Sequence, residues 1–309
     1  MVISMLERPP VRAHSAQARY VRDVLALHDT LRYDRIPQHV AGDGLCWQVR
    51  RPDGLLTLAV RTDQLPHRYL LGLLGFRLAQ YLRLGYASAD VVYRAAMFCE
   101  SAANVHPRDI HVVTLDGDTG RILGYVGFGA SPDPVPRDPR DPGRVLFHTE
   151  HAHDVNLFHR VPPPDGLTTH EVREVKRFVH NRQMSDRGLR LRVSLELLLG
   201  AGHAVAALDP APRVLIGDVE ERLALRHLLM LGLDVQLVEG TRPVLPAAEV
   251  MHPMYLVRAS VKPFVSRVPA GPELQRRIEE LDRALAAPDV FGGVRRLAGT
   301  LGCDVRSAA

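Results

Sequence analysis

The sequence predicts a mixed α/β fold, and three observations carry that prediction. Apolar helical stretches alternate with short strand-like runs along the chain. Four of those runs pair off around turn residues, at Pro52-Asp53-Gly54 and at Asp116-Gly117-Asp118-Thr119-Gly120. The hydrophobic fraction, 46% of 309 residues, suffices for a sizeable core.

In chain order, residues 16–35 read as a helix with Tyr20, Val24, Leu27 and Leu31 at helical spacing. The runs 45–50 and 55–61 form the first hairpin. Residues 67–84 form a strongly apolar helix that Gly85 suits as a C-terminal cap. Ser88 or Asp90 caps a second helix running to Ala102. Strands 110–115 and 121–129 make the second hairpin, the clearest local signal in the chain. Residues 131–143 hold five prolines and read as a long loop within one domain. A strand is expected at 145–150, then a loop at 161–169 with three consecutive prolines, then a strand at 171–179.

Further on, a helix is expected over 189–200, and a short strand or helix end over 203–208. A buried strand follows at 214–217, then a helix at 219–231 closed by Gly232, and a strand at 234–239. A last strand is expected at 255–260 and an amphipathic helix at 273–287, with residues 302–309 loose. The organisation expected is one compact unit: residues 1–105 as a helical and hairpin extension, 106–268 as the core, and 269–309 as a C-terminal helix and tail.

Composition narrows the function classes. The net charge is +4 and the pI about 9.1. All but two of the 39 basic residues are Arg, the exceptions being Lys176 and Lys262, and they are spread evenly. Without clustering this is a compositional bias rather than a DNA-binding patch. Cys46, Cys99 and Cys303 are widely spaced and include no CxxC pair, so neither a zinc knuckle nor a disulfide framework is indicated. A reducing cytoplasm is the expected location. No run of 18 apolar residues exists, so no membrane helix is expected.

The densest polar cluster is 147–154, FHTEHAHD. On an extended strand His148, Glu150 and Asp154 share one face, and His151 and His153 the other. A carboxylate beside an imidazole serves as a general base. Glu150 is the first candidate and His148 the second. The same cluster is open to a metal reading, or to that of a solvated strand end; no H-E-x-x-H motif supports metal. On strand 171–179, alternation places Glu174 and Lys176 on one face and Arg177 on the other. Cys46, beside Trp47, has no histidine near it in sequence, and Gly200-Ala201-Gly202 is most simply a helix end.

The order of elements from Ile110 to Ser260 resembles the core of the GNAT acyltransferases, and the stretch 214–239 resembles that family's late β-α-β unit. Within the superfamily, Glu174-Val175-Lys176-Arg177-Phe178 resembles the E-x-x-R-F signature of acyl-homoserine-lactone synthases. The resemblance implies a mixed, mostly antiparallel twisted sheet flanked by helices. It also implies that Glu174 and Arg177 order the active-site cleft while Phe178 lines it. The family's pyrophosphate loop corresponds to residues 181–190, which carry one glycine, Gly188, where the family has two. Arg182, Arg187 and Arg190 would meet the donor's phosphates there. Many GNAT enzymes protonate the leaving thiolate with a tyrosine; Tyr255 is the candidate, while the helix that usually bears it holds Arg226 and His227.

The expectation is therefore an acyltransferase, with an acyl-CoA or an acyl carrier protein as donor and a small amine or alcohol as acceptor, in specialised metabolism and with no tightly bound cofactor or metal. Alternatives are an aminoacyl-tRNA-dependent transferase on the same fold, a non-catalytic ligand-binding module, and a metal protein using the 148–154 cluster.

Overall fold

Both expected hairpins form, and each extends the next. A computed structural model describes residues 16–220, 228–229, 231–257 and 261–300. Strands β1 (Leu45–Arg50) and β2 (Leu55–Arg61) pair antiparallel, β2 pairs β3 (Ile110–Asp116), and β3 pairs β4 (Ile122–Gly129). The sheet continues through β5 (Val172–His180), β6 (Val214–Glu220), β8 (Val261–Arg267) and β7 (Asp234–Leu237), giving eight strands in the order β1-β2-β3-β4-β5-β6-β8-β7. Every pairing is antiparallel except β5 with β6.

Helices cover both faces. On one lie α1 (Ala16–Thr30), α2 (Ile36–His39), α3 (His67–Leu84), α4 (Ala89–Arg94), α5 (His148–His153) and α6 (Leu157–Arg160). On the other lie α7 (Arg187–Ala206), α9 (Gly271–Ala286) and α10 (Val290–Thr300), and α8 (His252–Val257) caps the first face near β6. Strand β2 shows why its sequence, LLTLAVR, does not alternate. Leu56, Leu58 and Val60 pack under α3, while Ala59 packs under α7, so neither face meets water. Gly200 lets α7 sit close, because a Cβ there would come within 2.6 Å of Val112 Cγ1.

Four sequence expectations change. The expected strand 145–150 is instead irregular up to Phe147 and then the first turn of α5. Thr149, Glu150, Ala152 and His153 are the buried positions, a helical rather than a two-residue period. Glu150 reaches back to the Phe147 amide (3.0 Å) and Glu174 takes the His148 and Thr149 amides, so the first turn is capped from two sides. The second helix stops at Arg94 instead of Ala102, because the chain must turn, with Ala96 at φ +49°, to bring Glu100 beneath α3. Of the expected last strand 255–260, residues 255–257 belong to α8 and 258–260 lie outside the described residues, with β8 starting at Val261. Met254 and Tyr255 are buried in α8, and Met251, just before its start, is buried at helical spacing from both. Helix α10 was not anticipated. Most of the expected helix 219–231, with Arg226 and His227, lies outside the described residues, and so does the 302–309 tail; β6 itself runs on to Glu220.

The loop between β4 and β5 is pinned by an ion pair whose two side chains are fully buried, Arg144 with Glu150. Arg144→Met is expected to strand an unpaired buried carboxylate and lower the unfolding free energy by about 3–5 kcal/mol, read by denaturant titration. A loss below about 1 kcal/mol would show that the pair adds little.

Candidate functional site: a cleft where two parallel strands part

Strands β5 and β6 pair only from Val172/Val214 to Val175/Gly217, although β5 runs on to His180 and β6 to Glu220. They part at Gly217, where a Cβ would stand 2.8 Å from the Val175 carbonyl oxygen. On its other edge β5 carries a bulge. Tyr125 pairs with Val179 and Gly127 with Lys176, so Val126 faces both Arg177 and Phe178. Arg177 takes φ +62°, a left-handed conformation rare outside glycine. The extra residue breaks strict alternation. Lys176 and Arg177, expected on opposite faces, both line the cleft.

Two cavities meet there. One, of about 100 Å³, lies between the parting strands and α8, bounded by Glu174, Phe178, Asp218, Met254 and Tyr255. The other, of about 240 Å³, lies toward the segments after α4 and before α8, bounded by Met97, Glu100, Asp109, Leu245, Glu249 and Met251. His148, Lys176 and Arg177 border both.

Of the candidates from the sequence, Glu174, His148, Tyr255, Arg177 and Phe178 converge on this cleft. Glu150 does not. Its oxygens are taken by Arg144, by the Phe147 amide and by the Leu157 amide at 2.9 Å, which makes it a structural anchor rather than an open base. Arg182, Arg187, Gly188 and Arg190 sit outside both cavities, at the loop before α7 and its first turn. Arg190 Nη2 donates to the Ser185 carbonyl (3.0 Å), and the α7 N-terminus already holds a carboxylate, since Asp186 accepts from the Leu189 amide (2.9 Å).

Glu174 is 1% exposed and saturated. It accepts from the Thr149 amide (2.6 Å), the Thr149 hydroxyl (2.7 Å) and the His148 amide (3.3 Å), with Lys176 Nζ at 3.3 Å. Burial alone would raise its carboxyl. The charge of Lys176, the neighbouring His148 imidazole and the Thr149 donors outweigh that and hold it below the ordinary carboxylate range. An acid held that firmly ionised is a weak base. His148 is the opposite case. Burial lowers its imidazole, Arg177 and Lys176 lower it further, and Glu174 and Asp218 only partly oppose them. It is neutral at pH 7, and Nε2 has no hydrogen-bond partner among the described residues. A neutral imidazole that borders the cleft and has an unpartnered, buried nitrogen can take a proton.

The wall behind Arg177 is an ionic lattice. Arg77 donates to both Glu100 oxygens (2.8 and 2.7 Å), and Arg177 Nε adds a third bond at 3.2 Å. Arg77 also reaches the Tyr125 hydroxyl, which contacts His111 Nδ1 at 2.7 Å. The Arg177 guanidinium stacks over Tyr81, 5.6 Å from the ring centroid. Glu100, Arg77, Lys176, Thr149 and Asp218 were not singled out as site residues. Arg77, mid-way along the apolar helix 67–84, and Lys176, inside the Glu174–Phe178 segment, were the sequence signals for them.

Among the described residues no group of three or more His, Cys, Asp or Glu side chains is arranged to hold a metal. Helix α5 exposes His151 and Asp154 while burying Glu150 and His153, so the 147–154 residues do not converge. Among them, too, no helix is long and apolar enough to cross a membrane.

No family model matches the chain, and no curated protein matches it. Among solved structures, the CoA-dependent acyl-homoserine lactone synthase BjaI, solved with MTA, matches at 13% identity over 74% of this chain and 89% of its own, with a TM-score of 0.43. A second CoA-dependent acyl-homoserine lactone synthase, MesI, matches at 15% identity over 71% and 89%, with a TM-score of 0.41. A ribosomal-protein-S5-alanine acetyltransferase from Vibrio fischeri matches at 8% identity over 72% and 97%, with a TM-score of 0.33. Each is named for an acyl-transfer activity. The architecture of this chain is a mostly antiparallel eight-stranded sheet with one parallel pair that parts at Gly217.

Proposed function

We propose that the chain transfers an acyl group from a thioester donor, acyl-CoA or an acyl carrier protein, to the amine or hydroxyl of a small acceptor. The observation that carries this reading is the neutral, unpartnered His148 at the junction of the two cavities, beside parted strands that no longer bond to each other. The thioester enters between β5 and β6, where backbone amides past Val175 are released from their β6 partners and are available to an oxyanion. The acceptor occupies the 240 Å³ cavity, whose Glu100, Asp109 and Glu249 carboxylates face Arg77, Lys176 and Arg177 over an apolar floor. His148 Nε2 takes the acceptor's proton as the bond to the carbonyl carbon forms, and the tetrahedral intermediate collapses with no covalent enzyme intermediate. Glu174 holds the first turn of α5, and with it His148, in place. Tyr255 is the hydroxyl nearest to hand for the departing sulfur.

The test is a thermal-shift screen with acetyl-CoA and longer acyl-CoAs, followed by thiol release with candidate amines. A ligand at 100 times its dissociation constant stabilises the native state by about 2.7 kcal/mol. A rise in melting temperature with an acyl-CoA supports the reading. No shift with any acyl-CoA, but one with charged tRNA, moves the donor to aminoacyl-tRNA. The pH profile is a second check. The base is competent when deprotonated, so kcat/KM is expected to rise with pH through a midpoint below 6.5, the ordinary imidazole value, and then level off. A midpoint above 7 contradicts His148 as the base.

A further inference from the structure

Positive charge collects at the start of β5 without a matching carboxylate. Arg173 is 2% exposed, and its Nε has no hydrogen-bond partner among the described residues. Arg108 and His106, on the loop before β3, lie within reach of its charge, and His170 lies against Arg108. These three are half-buried, and neither they nor Arg173 border the two cavities of the cleft.

Asp109 is the carboxylate that acts on Arg173, and it is already shared. It accepts from the Ala130 amide (2.7 Å) and the His106 amide (3.1 Å), and the Lys176 charge also acts on it. Asp133, on the loop after β4, spends its carboxylate on the Val145 amide (2.9 Å) and the Ser131 hydroxyl (3.2 Å), with Arg137 Nε at 4.0 Å. Burial and then Arg108 lower the Arg173 guanidinium to about 10, and Asp109 only partly opposes them. A buried charge left this poorly compensated costs stability, so packing alone gives no reason for an arginine here.

The cluster is also held in place beforehand. The Asp109 amide donates to the His106 carbonyl (2.9 Å) and the Asp63 amide to the Pro107 carbonyl (3.0 Å), which pins the loop. His106 Nδ1 accepts from the Arg108 amide (3.1 Å), so the proton of its neutral ring sits on Nε2 as a free donor. His170 Nε2 donates to the Asp133 carbonyl (3.0 Å). The Arg108 Nη atoms lie 3.4 and 3.3 Å from the two nitrogens of that fixed ring, which sets the guanidinium against it.

We propose that this cluster is a binding site for a phosphate group, with Arg173 as its floor and Arg108 and His106 Nε2 as its rim. A phosphate brings close to two negative charges at neutral pH, and its oxygens suit the planar forks of both guanidiniums. A monocarboxylate would neutralise only one of the two. The site is separate from the cleft and does not depend on the acyl-transfer reading; Asp109, which borders the larger cavity, is where the two adjoin.

The test is calorimetric titration and thermal melting of the full chain with inorganic phosphate, glycerol 3-phosphate or acetate, each against sodium chloride at equal ionic strength. Phosphate at ten times its dissociation constant is expected to raise the melting temperature by about 2–4 °C, with acetate at least about tenfold weaker. Tighter binding of glycerol 3-phosphate would identify the ligand as a phosphate monoester, and tighter binding of inorganic phosphate as the free ion. Arg173→Met is expected to weaken phosphate binding at least about tenfold and yet to melt higher than wild type in chloride, because an uncompensated buried charge is gone. An arginine that serves only the fold would give the reverse, a lower melting temperature with phosphate binding unchanged. That result, or equal shifts with phosphate, acetate and chloride, overturns the site. Should Arg173→Met fail to fold, Arg108→Gln on the half-buried rim decides: weaker phosphate binding supports the site, and unchanged binding overturns it.

Discussion

Replacing His148 with glutamine is expected to lower kcat for acyl transfer by about 10²- to 10⁴-fold while leaving thioester binding nearly unchanged. Glutamine keeps most of the volume and can still offer a polar atom near Nε2, but it cannot accept a proton at neutral pH. The α5 cap is made by the backbone amide of residue 148, not its side chain, so the helix and the Glu174 contacts are retained. Steady-state rates at saturating donor, alongside a donor-induced melting shift, check both halves of the expectation. The pH dependence of kcat/KM below 6.5 should disappear in the same variant. A variant that loses binding and rate together would mean that His148 holds the donor rather than moving a proton. Lys176→Met separates the two roles. Lys176 stands 3.3 Å from Glu174 and is one of the charges that keep His148 neutral, so its removal is expected to shift the rate midpoint upward.

The second large effect concerns stability. Glu100→Ala is expected to cost about 3–5 kcal/mol in denaturant unfolding, because it leaves Arg77 and Arg177 buried together without their common counter-ion. Glu100 is 6% exposed, and among the described residues no other carboxylate is bonded to either guanidinium. Burial raises its carboxyl, but Arg77 and then Arg177 pull it down to about 2. The folded pKa is depressed, so the pair's contribution is fully present above the ordinary value of 4.5 and is lost as pH falls toward 2. Wild-type protein should therefore lose stability steeply between about pH 4.5 and pH 2, and Glu100→Gln should flatten that slope. An acid slope unchanged in the variant would place the sensitivity elsewhere.

The hairpins, the helix 67–84 and the amphipathic helix near 273–287 were legible because each is decided locally. A turn motif fixes the register of β1 with β2 and of β3 with β4, and apolar periodicity fixes which face of a helix is buried. The segment 147–154 was misread because His, Glu and Asp carry no apolar period. Its helix is held by Glu174, 25 and 26 positions away in sequence from the amides it takes, and by the buried Arg144–Glu150 pair. Helix α8 was misread for a related reason. Its residues are apolar enough for a strand, and only packing against β6 and the cleft selects the helical spacing of Met251, Met254 and Tyr255.

The candidate site divides in the same way. Glu174, Arg177 and Phe178 could be picked out as neighbours on one strand, and His148 and Tyr255 as residues of suitable chemistry. Their roles depend on distances that a linear chain does not contain. The bulge at Arg177 turns two successive residues toward one cleft, the parting of β5 from β6 opens it, and burial decides which acid is saturated and which imidazole stays neutral. By itself the sequence determined the hydrophobic pattern, the turns and hence the α/β class. The tertiary structure alone decided which polar side chains lost their water and which partners replaced it, because desolvation and charge pairing act across space and not along the chain.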